Sequence, residues 1–267
     1  MMGPYLAFAR SAFLASLAYR NEVWANIFGK VVQVFARVAI WLAVYAGIGA
    51  TVVDGVSLQQ MVTYALLGGI VMGAIRHENV LNEIGRSLRT GDVAVWLLKP
   101  VSYPGYLFAN EAGSFTYRLL TQVIPTIAFT ALFYGMLPPE SLFHGVMFLA
   151  YWAMAFVILL LMSAFAGLIA FWLMTSFSLD WMLGALLHLF AGLLVPLWFY
   201  PEPLATIARH LPFAWVAYYP NAVYLGHLSV TDTWLYFGLG LLWTALFFAG
   251  VQWLWHRAAT RITVQGG

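Results

Sequence analysis

The sequence contains no cysteine and very little charge. Without Cys among its 267 residues, the chain cannot form disulfides, thiolate metal sites or a cysteine nucleophile. Charged residues make up only 8% of it and hydrophobic residues 63%, whereas about a quarter of a typical soluble domain is charged. Because a water-soluble core cannot hide so much apolar surface, the composition predicts a polytopic membrane protein. The formal net charge of +2 gives no indication of nucleic-acid binding.

Motifs for nucleotide hydrolysis and for metal-dependent or serine hydrolysis are also missing. The only lysines, Lys30 and Lys99, precede Val and Pro, so there is no phosphate-binding G-x-x-x-x-G-K-[ST] loop. His77 is followed by Glu78, but no second histidine completes a zinc-binding H-E-x-x-H pattern. His188, in the middle of a predicted span, is interpreted as a hydrogen-bonded interior residue. We therefore expect no catalytic residue, no metal site and no cofactor bound by the chain itself.

Six apolar runs approach the roughly 20 residues that a helix needs to cross a bilayer. They cover residues 31–53, 61–75, 119–137, 142–174, 181–199 and 233–255. The second run is short and is expected to borrow length from the helix that follows it. Pro125 predicts a kink in the third run, and Asp54-Gly55 predicts a turn after the first. We predict an all-α integral membrane protein with a single transmembrane domain over residues 1–267.

The distribution of charge predicts the orientation of the chain. Every Lys and Arg except Arg209 falls on the same side of the six spans as the two termini. The positive-inside rule then places both termini in the cytoplasm. Residues 1–26 interleave apolar and charged residues, which predicts a helix lying at the cytoplasmic interface. The alternative is that these residues simply begin the first span.

Two pairs of charged residues are spaced seven apart, so each pair lies on one helix face. We interpret Lys30 and Arg37 as cations that extend to lipid phosphates at the inner surface, in preference to a substrate site. The spacing predicts that Glu111 and Arg118 are too far apart for a direct pair. No Asp or Glu is predicted in the middle of a span, which argues against ion-coupled transport. Energy for transport is therefore expected from outside the chain.

The polar loop of residues 76–100 carries the clearest candidate for that energy input. Gly91 is predicted to end one helix, and Asp92 to cap the next helix or to interact with its positive end. Val93, Trp96 and Leu97 then define one to two helical turns with an apolar patch around Trp96. A short helix with an aromatic side chain projecting into water suits docking into a partner's groove. The alternative, a helix lying on the membrane surface, fits the sequence equally well.

Residues 200–232 do not resemble an ordinary loop. They include the prolines Pro201, Pro203, Pro212 and Pro220 and the aromatic residues Tyr200, Phe213, Trp215, Tyr218, Tyr219 and Tyr224. Each apolar piece between prolines is far too short to cross a bilayer. Because proline interrupts helices, and Trp and Tyr favour the headgroup layer, we predict two short helices that enter from the outer surface and turn back.

In their order and spacing, these features resemble the membrane subunits of ABC-2-type transporters, the permease half of bacterial ABC exporters. One motif lies in the polar loop, with Glu83 followed by Gly91 and then Leu97-Leu98-Lys99-Pro100. The others are Gly192-Leu193-Leu194-Val195-Pro196 and Leu211-Pro212-Phe213, the latter followed by Tyr219-Pro220. The resemblance covers essentially the whole chain and is greatest to a subgroup of small permeases.

The resemblance implies an interfacial N-terminal helix, six transmembrane helices and a re-entrant helix pair before the last span. It also implies a bacterial cytoplasmic-membrane complex with two ATP-binding subunits, which use ATP and Mg, and with a second copy of the permease or a related one. The residues implied to couple to the ATPase are Glu83, Arg89, Gly91, Asp92, Val93, Trp96, Leu97 and Pro100. Those implied to form a re-entrant outer gate are Pro196, Tyr200, Pro212, Phe213, Trp215, Tyr219 and Pro220.

The leading hypothesis is a permease subunit of an ATP-driven exporter. The apolar spans and the aromatic outer segment favour a hydrophobic or amphipathic substrate, such as a drug, a lipid or a glycan-lipid. A self-contained secondary transporter or channel is the alternative. A membrane-embedded enzyme acting on lipids is a third hypothesis, and the missing nucleophile and metal motifs argue against it.

Overall fold

A computed structural model describes residues 3–18, 20–173 and 175–265, and nearly all of them are helical. Residues 1, 2, 19 and 174, which belong to the predicted segments 1–26 and 142–174, lie outside the described residues. The helices are α1 (Gly3–Leu17), α2 (Arg20–Ile48), α3 (Leu58–Ala74), α4 (His77–Thr90), α5 (Asp92–Leu97), α6 (Tyr103–Arg118), α7 (Ile124–Tyr134), α8 (Leu142–Leu173), α9 (Phe177–Phe190), α10 (Glu202–His210), α11 (Tyr218–Tyr224) and α12 (Val230–Gln265). A hairpin of β1 (Val52–Val53) and β2 (Val56–Ser57) joins α2 to α3.

Three helices are long and apolar enough to cross a membrane, over Val23–Ile48, Leu142–Leu173 and Val230–Thr260. The apolar helix α9 is shorter. The helices α6 and α7 continue one another without a break from residue 103 to residue 134, a length of about 48 Å at 1.5 Å per residue. The predicted all-α character is confirmed, whereas the three long helices alone do not establish six spans.

Helix α8 lies at the centre of the molecule. In its most apolar stretch 83% of the residues are buried, against 17% in α2 and 11% in α12. The helices α4, α11 and α12 pack around it, and its residues Tyr151 and Ile158 are fully buried. In contrast, α2 exposes large apolar side chains such as Phe35 and Ile40. An apolar helix with such exposed faces needs lipid or another protein chain around it.

The first predicted span is displaced towards the N-terminus. Helix α2 begins at Arg20 rather than at residue 31. Polar residues do not add to an apolar run, but they can extend a helix. It ends at Ile48, before the hairpin. In that hairpin Asp54 and Gly55 have φ angles of +50° and +77°, which confirms the predicted turn. Residues 20–26 therefore belong to α2, and the separate N-terminal helix is only α1.

The third predicted run contains a local distortion at Pro125. The backbone N–H of Ile124 bonds to the carbonyl of Leu119, five residues earlier, in a π-helical turn over Leu119–Val123. Such a turn accommodates the hydrogen bond that proline cannot donate. Where the sequence predicts a kink, the structure has one π-helical turn inside a continuous helix.

The fifth predicted run is not one continuous helix. Helix α9 ends at Phe190, and Gly192 adopts a φ of +68°, a left-handed conformation that suits glycine after a helix end. The prediction of an uninterrupted span to residue 199 is therefore wrong. A 3-10 turn, Leu197–Phe199, follows before α10.

Residues 200–232 contain two short α-helices, α10 and α11, as the prolines predict. A second 3-10 turn, Pro212–Trp215, lies between them. Two of the aromatic residues predicted to favour the headgroup layer, Trp215 and Tyr219, are each only 1% exposed. They pack between the short helices and α8 and α12, a tertiary arrangement that local sequence does not reveal.

Candidate coupling site

Gly91 forms an elbow between α4 and α5. Its φ of +76° is a left-handed conformation that residues with side chains adopt only at a cost. It is both the C-cap of α4 and the N-cap of α5, which confirms the predicted helix break. Asp92 is therefore not the capping residue; it lies in the first turn of α5, where its carboxylate accepts a 2.7 Å hydrogen bond from the Thr90 hydroxyl. Its position instead puts a negative charge near the positive end of α5.

Trp96 points inward from α5 rather than projecting into water. Its ring stacks on Tyr106 of α6 with the ring centroids 4.1 Å apart and meets Phe8 of α1 edge-on at 6.2 Å. The Lys99 ammonium lies 3.7 Å from the Trp96 ring centroid, a cation–π contact. Only 9% of Trp96 is exposed. The prediction of a projecting aromatic side chain is wrong, and Trp96 is an anchor that fastens α5 to α1 and α6.

The two faces of α5 have opposite environments. Val93, Trp96 and Leu97 lie at helical positions i, i+3 and i+4, and they face inward: the first two are buried and Leu97 is half-buried. On the other face, Val95 is 49% exposed and Leu98 is 87% exposed. Sequence reasoning missed these last two, although the spacing of the inward residues already indicated a buried face. The outward surface of α5 is thus apolar and unpartnered within the described chain.

The other residues of the predicted site lie on α4, which Gly91 joins to α5, and at Pro100 after α5. Glu83 pairs with Arg86 across one turn of α4, with Oε1 and Nη2 2.8 Å apart. Arg89 and Pro100 are exposed. Because an exposed ion pair contributes about 0–1 kcal/mol, Glu83 and Arg86 determine the charge of this surface more than the stability of α4.

A polar clamp, formed by the buried Arg118 and Glu111, the exposed Asn79 and the Ala74 carbonyl, joins three helices. Arg118 forms an ion pair with Glu111, and its Nε donates a 2.8 Å hydrogen bond to the carbonyl of Ala74 at the end of α3. Asn79 of α4 donates a 3.2 Å hydrogen bond to the Glu111 carboxylate. The clamp satisfies a carbonyl that the end of α3 leaves without a helical partner. It fixes the N-terminal end of α4 to α3 and α6.

One sequence expectation fails at the clamp. The prediction that Glu111 and Arg118 are too far apart for a direct pair is wrong, because the long Arg118 side chain spans the two helical turns, about 10 Å, between them. Glu111 is also buried, with only 3% of it exposed. Its charge is balanced by the Arg118 guanidinium and the Asn79 amide.

Helix α1 is fastened along α6 by close backbone packing. A Cβ atom at Gly113 would overlap the carbonyl of Ala9, and one at Gly105 would lie 2.7 Å from the Tyr5 ring. The Tyr5 hydroxyl accepts a 3.0 Å hydrogen bond from the backbone N–H of Ser102. Glycine at these two positions thus sets the distance between the helices. Together with the anchored α5, the helices α1 and α6 form one packed unit.

Three aromatic side chains form a cluster that we call the outer plug. Trp215 and Tyr219 belong to the predicted outer gate, and Tyr236 of α12 packs against them. The Tyr219 ring lies 4.6 Å from Trp215 and 4.7 Å from Tyr236 between ring centroids. Trp215 Nε1 donates a 2.9 Å hydrogen bond to the Tyr236 carbonyl of α12, and the Tyr219 hydroxyl donates one of 2.8 Å to the Arg209 carbonyl. The first bond ties the 3-10 turn Pro212–Trp215 to α12, and the second ties α11 to α10.

The other predicted gate residues lie beside the outer plug. The Tyr200 hydroxyl donates a 2.9 Å hydrogen bond to the Leu189 carbonyl of α9. Phe213 stacks on Phe190, with their centroids 6.0 Å apart. Among the prolines of this set, Pro196 precedes the first 3-10 turn, Pro212 begins the second, and Pro220 lies within α11. The structure therefore gathers the predicted gate residues into one region around the end of α9 and the short helices.

Two more residues from the sequence interpretation have unexpected surroundings. The Arg37 guanidinium lies against α3 at Gly69, and its Nη1 is buried without a hydrogen-bond partner in the described part of the chain. This part of the Arg37 guanidinium is therefore enclosed by protein. His188 Nδ1 donates a 2.8 Å hydrogen bond to the Gly184 carbonyl, as predicted, but its side chain is exposed rather than interior.

A family model described as "ABC-2 family transporter protein" matches residues 31–266. No curated protein and no solved structure matches the chain. The matched region includes the α4–α5 elbow, the clamp and the outer plug, and it confirms the resemblance seen in the sequence. Membership implies a membrane setting and an ATP-binding partner. The chain belongs to the ABC-2 transporter family, as a membrane permease component of an ABC transporter.

Proposed function

We propose that this chain is the permease subunit of an ATP-driven exporter, and that the ATPase docks on the outward face of α5. The observation that carries the proposal is the contrast between the two faces of that helix. Trp96 anchors one face to α1 and α6, while Val95 and Leu98 project from the other. Large apolar side chains exposed on a polar, charged loop are typical of a surface that another protein covers.

The anchoring of α5 supports a mechanism of rigid-body coupling. When the ATPase subunits bind ATP and close, they displace α5, and the Trp96 stack passes the displacement to α1 and α6. Through the clamp, the N-terminal end of α4 and the C-terminal end of α3 move in the same direction. Two packed arrangements of this unit would correspond to the closed and open states of the permease.

We infer a six-span layout for this mechanism. The spans are α2, α3, the continuous α6–α7 helix, α8, α9 and α12, with α1 at the cytoplasmic interface and α10–α11 entering from outside. Both termini lie in the cytoplasm of a bacterium, in keeping with the positive-inside distribution. A second copy of this permease, or a related one, covers the exposed apolar faces of α2 and α9, where Phe35 and Trp181 are 60% and 73% exposed. The export path lies at that interface, lined by α2, α3 and α9.

The cargo is a hydrophobic or amphipathic molecule, such as a drug, a lipid or a glycan-lipid. ATP and Mg are bound by the two partner ATPase subunits and not by this chain. The apolar faces of the proposed interface support such a cargo, because they give an amphipathic molecule a path that avoids exposing its apolar part to water.

The docking proposal is tested by association of the permease with its ATPase. Leu98→Ser removes the most exposed apolar side chain of the outward surface, at the C-cap of α5. Leu142→Ser is a matched control, since Leu142 is 85% exposed at the start of α8. We expect Leu98→Ser to weaken co-purification of the ATPase and Leu142→Ser to leave it unchanged. Equal co-purification with both variants would overturn the docking assignment.

A self-contained secondary transporter is the second candidate, and the buried Glu111 is the observation that favours it. A carboxylate away from water can carry a proton in coupled transport. Its pairing with Arg118 and Asn79 instead supports a structural role. Substrate movement by the purified chain in liposomes without any ATPase, abolished by Glu111→Gln, would establish the second candidate in place of the first.

A further inference from the structure

An apolar cleft lies between α6 on one side and α8 and α12 on the other. Its volume is about 660 Å³, within the range of about 300–1,000 Å³ that is typical of small-molecule sites. Its walls include Leu107 and Phe108 of α6, Leu160 and Leu161 of α8, and Leu241 and Phe248 of α12. None of the described residues that line it is charged. The walls therefore favour an occupant with an apolar body.

Aromatic contacts close the cleft at both ends. At one end, Tyr103 at the start of α6 meets Trp255 of α12, with the ring centroids 5.1 Å apart. At the other end, Phe115 of α6 packs on Phe156 of α8, with the ring centroids 4.5 Å apart. The cleft is therefore a bounded site and not a groove that runs the length of the helices.

The cleft opens sideways, and its length matches half a bilayer. Phe108 and Phe248 line its two walls and are 41% and 54% exposed, so the described chain leaves the opening uncovered. Along α12 the cleft extends from Leu241 to Gln252, about 16 Å at 1.5 Å per residue. The hydrocarbon core of a bilayer is about 30 Å thick, so each leaflet contributes about 15 Å. An acyl chain of one leaflet therefore has the length of the cleft.

Polar side chains gather at the end of the cleft near Tyr103. Tyr5, Ser102 and Gln252 line this end, and the Tyr5 hydroxyl accepts a hydrogen bond from the Ser102 backbone N–H. A further polar residue of the lining, Thr244, donates its hydroxyl hydrogen to a carbonyl one turn earlier in its own helix. The cleft therefore offers polar groups to an occupant mainly at one end.

Two cations lie beside this polar end. The Lys99 ammonium is 3.7 Å from the ring centroid of Trp96, and that ring is 5.5 Å from the Tyr103 ring. Arg257 is exposed and follows Trp255 by two residues. Because no carboxylate lines the cleft in the described part of the chain, these cations favour an occupant whose polar end is negatively charged.

An acyl chain fills such a cleft better than water or a void does. Water has too few hydrogen-bond partners between apolar walls, and a void deprives the walls of dispersion contacts. In a bilayer the side opening meets acyl chains, which are as apolar as the leucines of the walls. A chain that enters restores the missing contacts without desolvating a polar group.

We propose that the cleft binds one acyl chain of an anionic phospholipid from the cytoplasmic leaflet. The chain lies along α12 from Gln252 towards Leu241, and the phosphate lies at the end of the cleft beside Lys99 and Arg257. The assignment to the cytoplasmic leaflet rests on the proposed layout, in which α5 and the C-terminal end of α12 are cytoplasmic. The lipid is a structural ligand, separate from the cargo path proposed between α2, α3 and α9.

The site lies at a joint of the proposed coupling mechanism. One wall belongs to α6, which is packed with α1 and α5, and the other walls belong to α8 and α12. A bound chain fills the space between the unit that receives displacement from α5 and the central helix α8. The lipid therefore keeps these two parts in contact.

The test is photolabelling in liposomes that contain the purified full-length chain and phosphatidylglycerol with a photoreactive diazirine on one acyl chain. Leu160 and Leu161 line the cleft and are only 4% and 8% exposed, so lipid outside the cleft does not reach them. We expect both to be labelled. Ala245→Trp, which fills the cleft from an exposed position, should lose most of that labelling. Ala249→Trp is the matched control, because Ala249 is exposed on the same helix and does not line the cleft.

The outcomes separate the parts of the proposal. Unlabelled Leu160 and Leu161 beside a labelled Leu242, which is 55% exposed, would overturn the site, and so would equal labelling in the two Trp variants. A diacylglycerol with the same photoreactive chain should label less, because it has no phosphate, and equal labelling would contradict the anionic headgroup.

The position of the diazirine tests the leaflet. Val157 and Ala164 line the cleft about 10 Å apart along α8. A diazirine at the chain terminus should favour Val157, and one near the glycerol should favour Ala164. The reverse preference would overturn the assignment to the cytoplasmic leaflet. Because no ATPase is present, failure of the lipid site leaves the docking test with Leu98→Ser unaffected.

Discussion

Two aromatic clusters in this protein use similar residues for different purposes. At α5, Trp96 is held by ring contacts with Phe8 and Tyr106 and by the Lys99 ammonium. In the outer plug, Trp215 and Tyr219 add hydrogen bonds to backbone carbonyls. Ring contacts tolerate small shifts, whereas hydrogen bonds weaken steeply with angle. In the proposed mechanism, the α5 cluster passes movement on while the outer plug stays fixed.

The comparison predicts the largest loss of stability at the outer plug. Trp215→Ala removes a fully buried ring and its hydrogen bond to the Tyr236 carbonyl, and we expect the free energy of unfolding to fall by about 3–5 kcal/mol. Thermal unfolding of the purified chain in detergent measures it. Trp234→Ala is the control, because Trp234 is 55% exposed on α12, the helix that contains the Tyr236 carbonyl. Equal unfolding midpoints for the two variants would show that the plug does not stabilise the fold.

The second largest loss of stability is expected at the clamp, which belongs to the coupling unit around α5. Arg118→Met leaves Glu111 buried without its guanidinium, and we expect a loss of about 3 kcal/mol in the free energy of unfolding. The double variant Glu111→Leu/Arg118→Met should regain much of it, since neither charge is then left unpaired. A double variant less stable than Arg118→Met would contradict this reading of the clamp. Thermal unfolding is measured for the wild type, Glu111→Leu, Arg118→Met and the double variant.

A smaller effect is expected at the elbow. Gly91→Ala places a side chain at a φ of +76°, with an expected cost of about 1–2 kcal/mol, although no neighbouring atom lies within 4 Å of the new Cβ. Gly29→Ala is the matched control, because Gly29 is equally uncrowded but helical, and alanine there should be neutral or stabilising. Hydrogen exchange of the α4–α5 amides reports the change. Equal protection in the two variants would show that the elbow does not depend on its backbone conformation.

The smallest effect on stability is expected at the surface around α5. Glu83→Gln breaks the exposed pair with Arg86 and should change the free energy of unfolding by less than about 1 kcal/mol. The removed charge should instead alter the salt dependence of ATPase association. Association measured across a range of salt concentrations checks this, and a salt dependence identical to that of the wild type would remove Glu83 from the docking surface.

Features set by local chemistry could be predicted from the sequence. Gly91 as a helix break, the Asp54-Gly55 turn and the two short helices between prolines depend on the backbone preferences of a few adjacent residues. The family resemblance rested on the same local motifs, and the family match confirms it.

Features set by distant contacts could not be predicted. The direction of Trp96 depends on α1 and α6, whose positions the loop sequence does not specify. The Glu111–Arg118 pair depends on a side chain long enough to span two turns and on burial that protects both charges. In each case the sequence shows the residues themselves. It does not show which distant residues they contact, and those contacts determine the direction of the side chain.

The central claim is that Trp96 passes displacement of α5 into the membrane helices. It is tested most directly by substrate stimulation of ATPase activity in liposomes that contain the complete complex. In Trp96→Ala we expect the ATPase to remain associated through Val95 and Leu98 while substrate stimulation is largely lost, and Trp96→Phe, which keeps a stacked ring, should retain much of it. Full stimulation in Trp96→Ala would contradict the account.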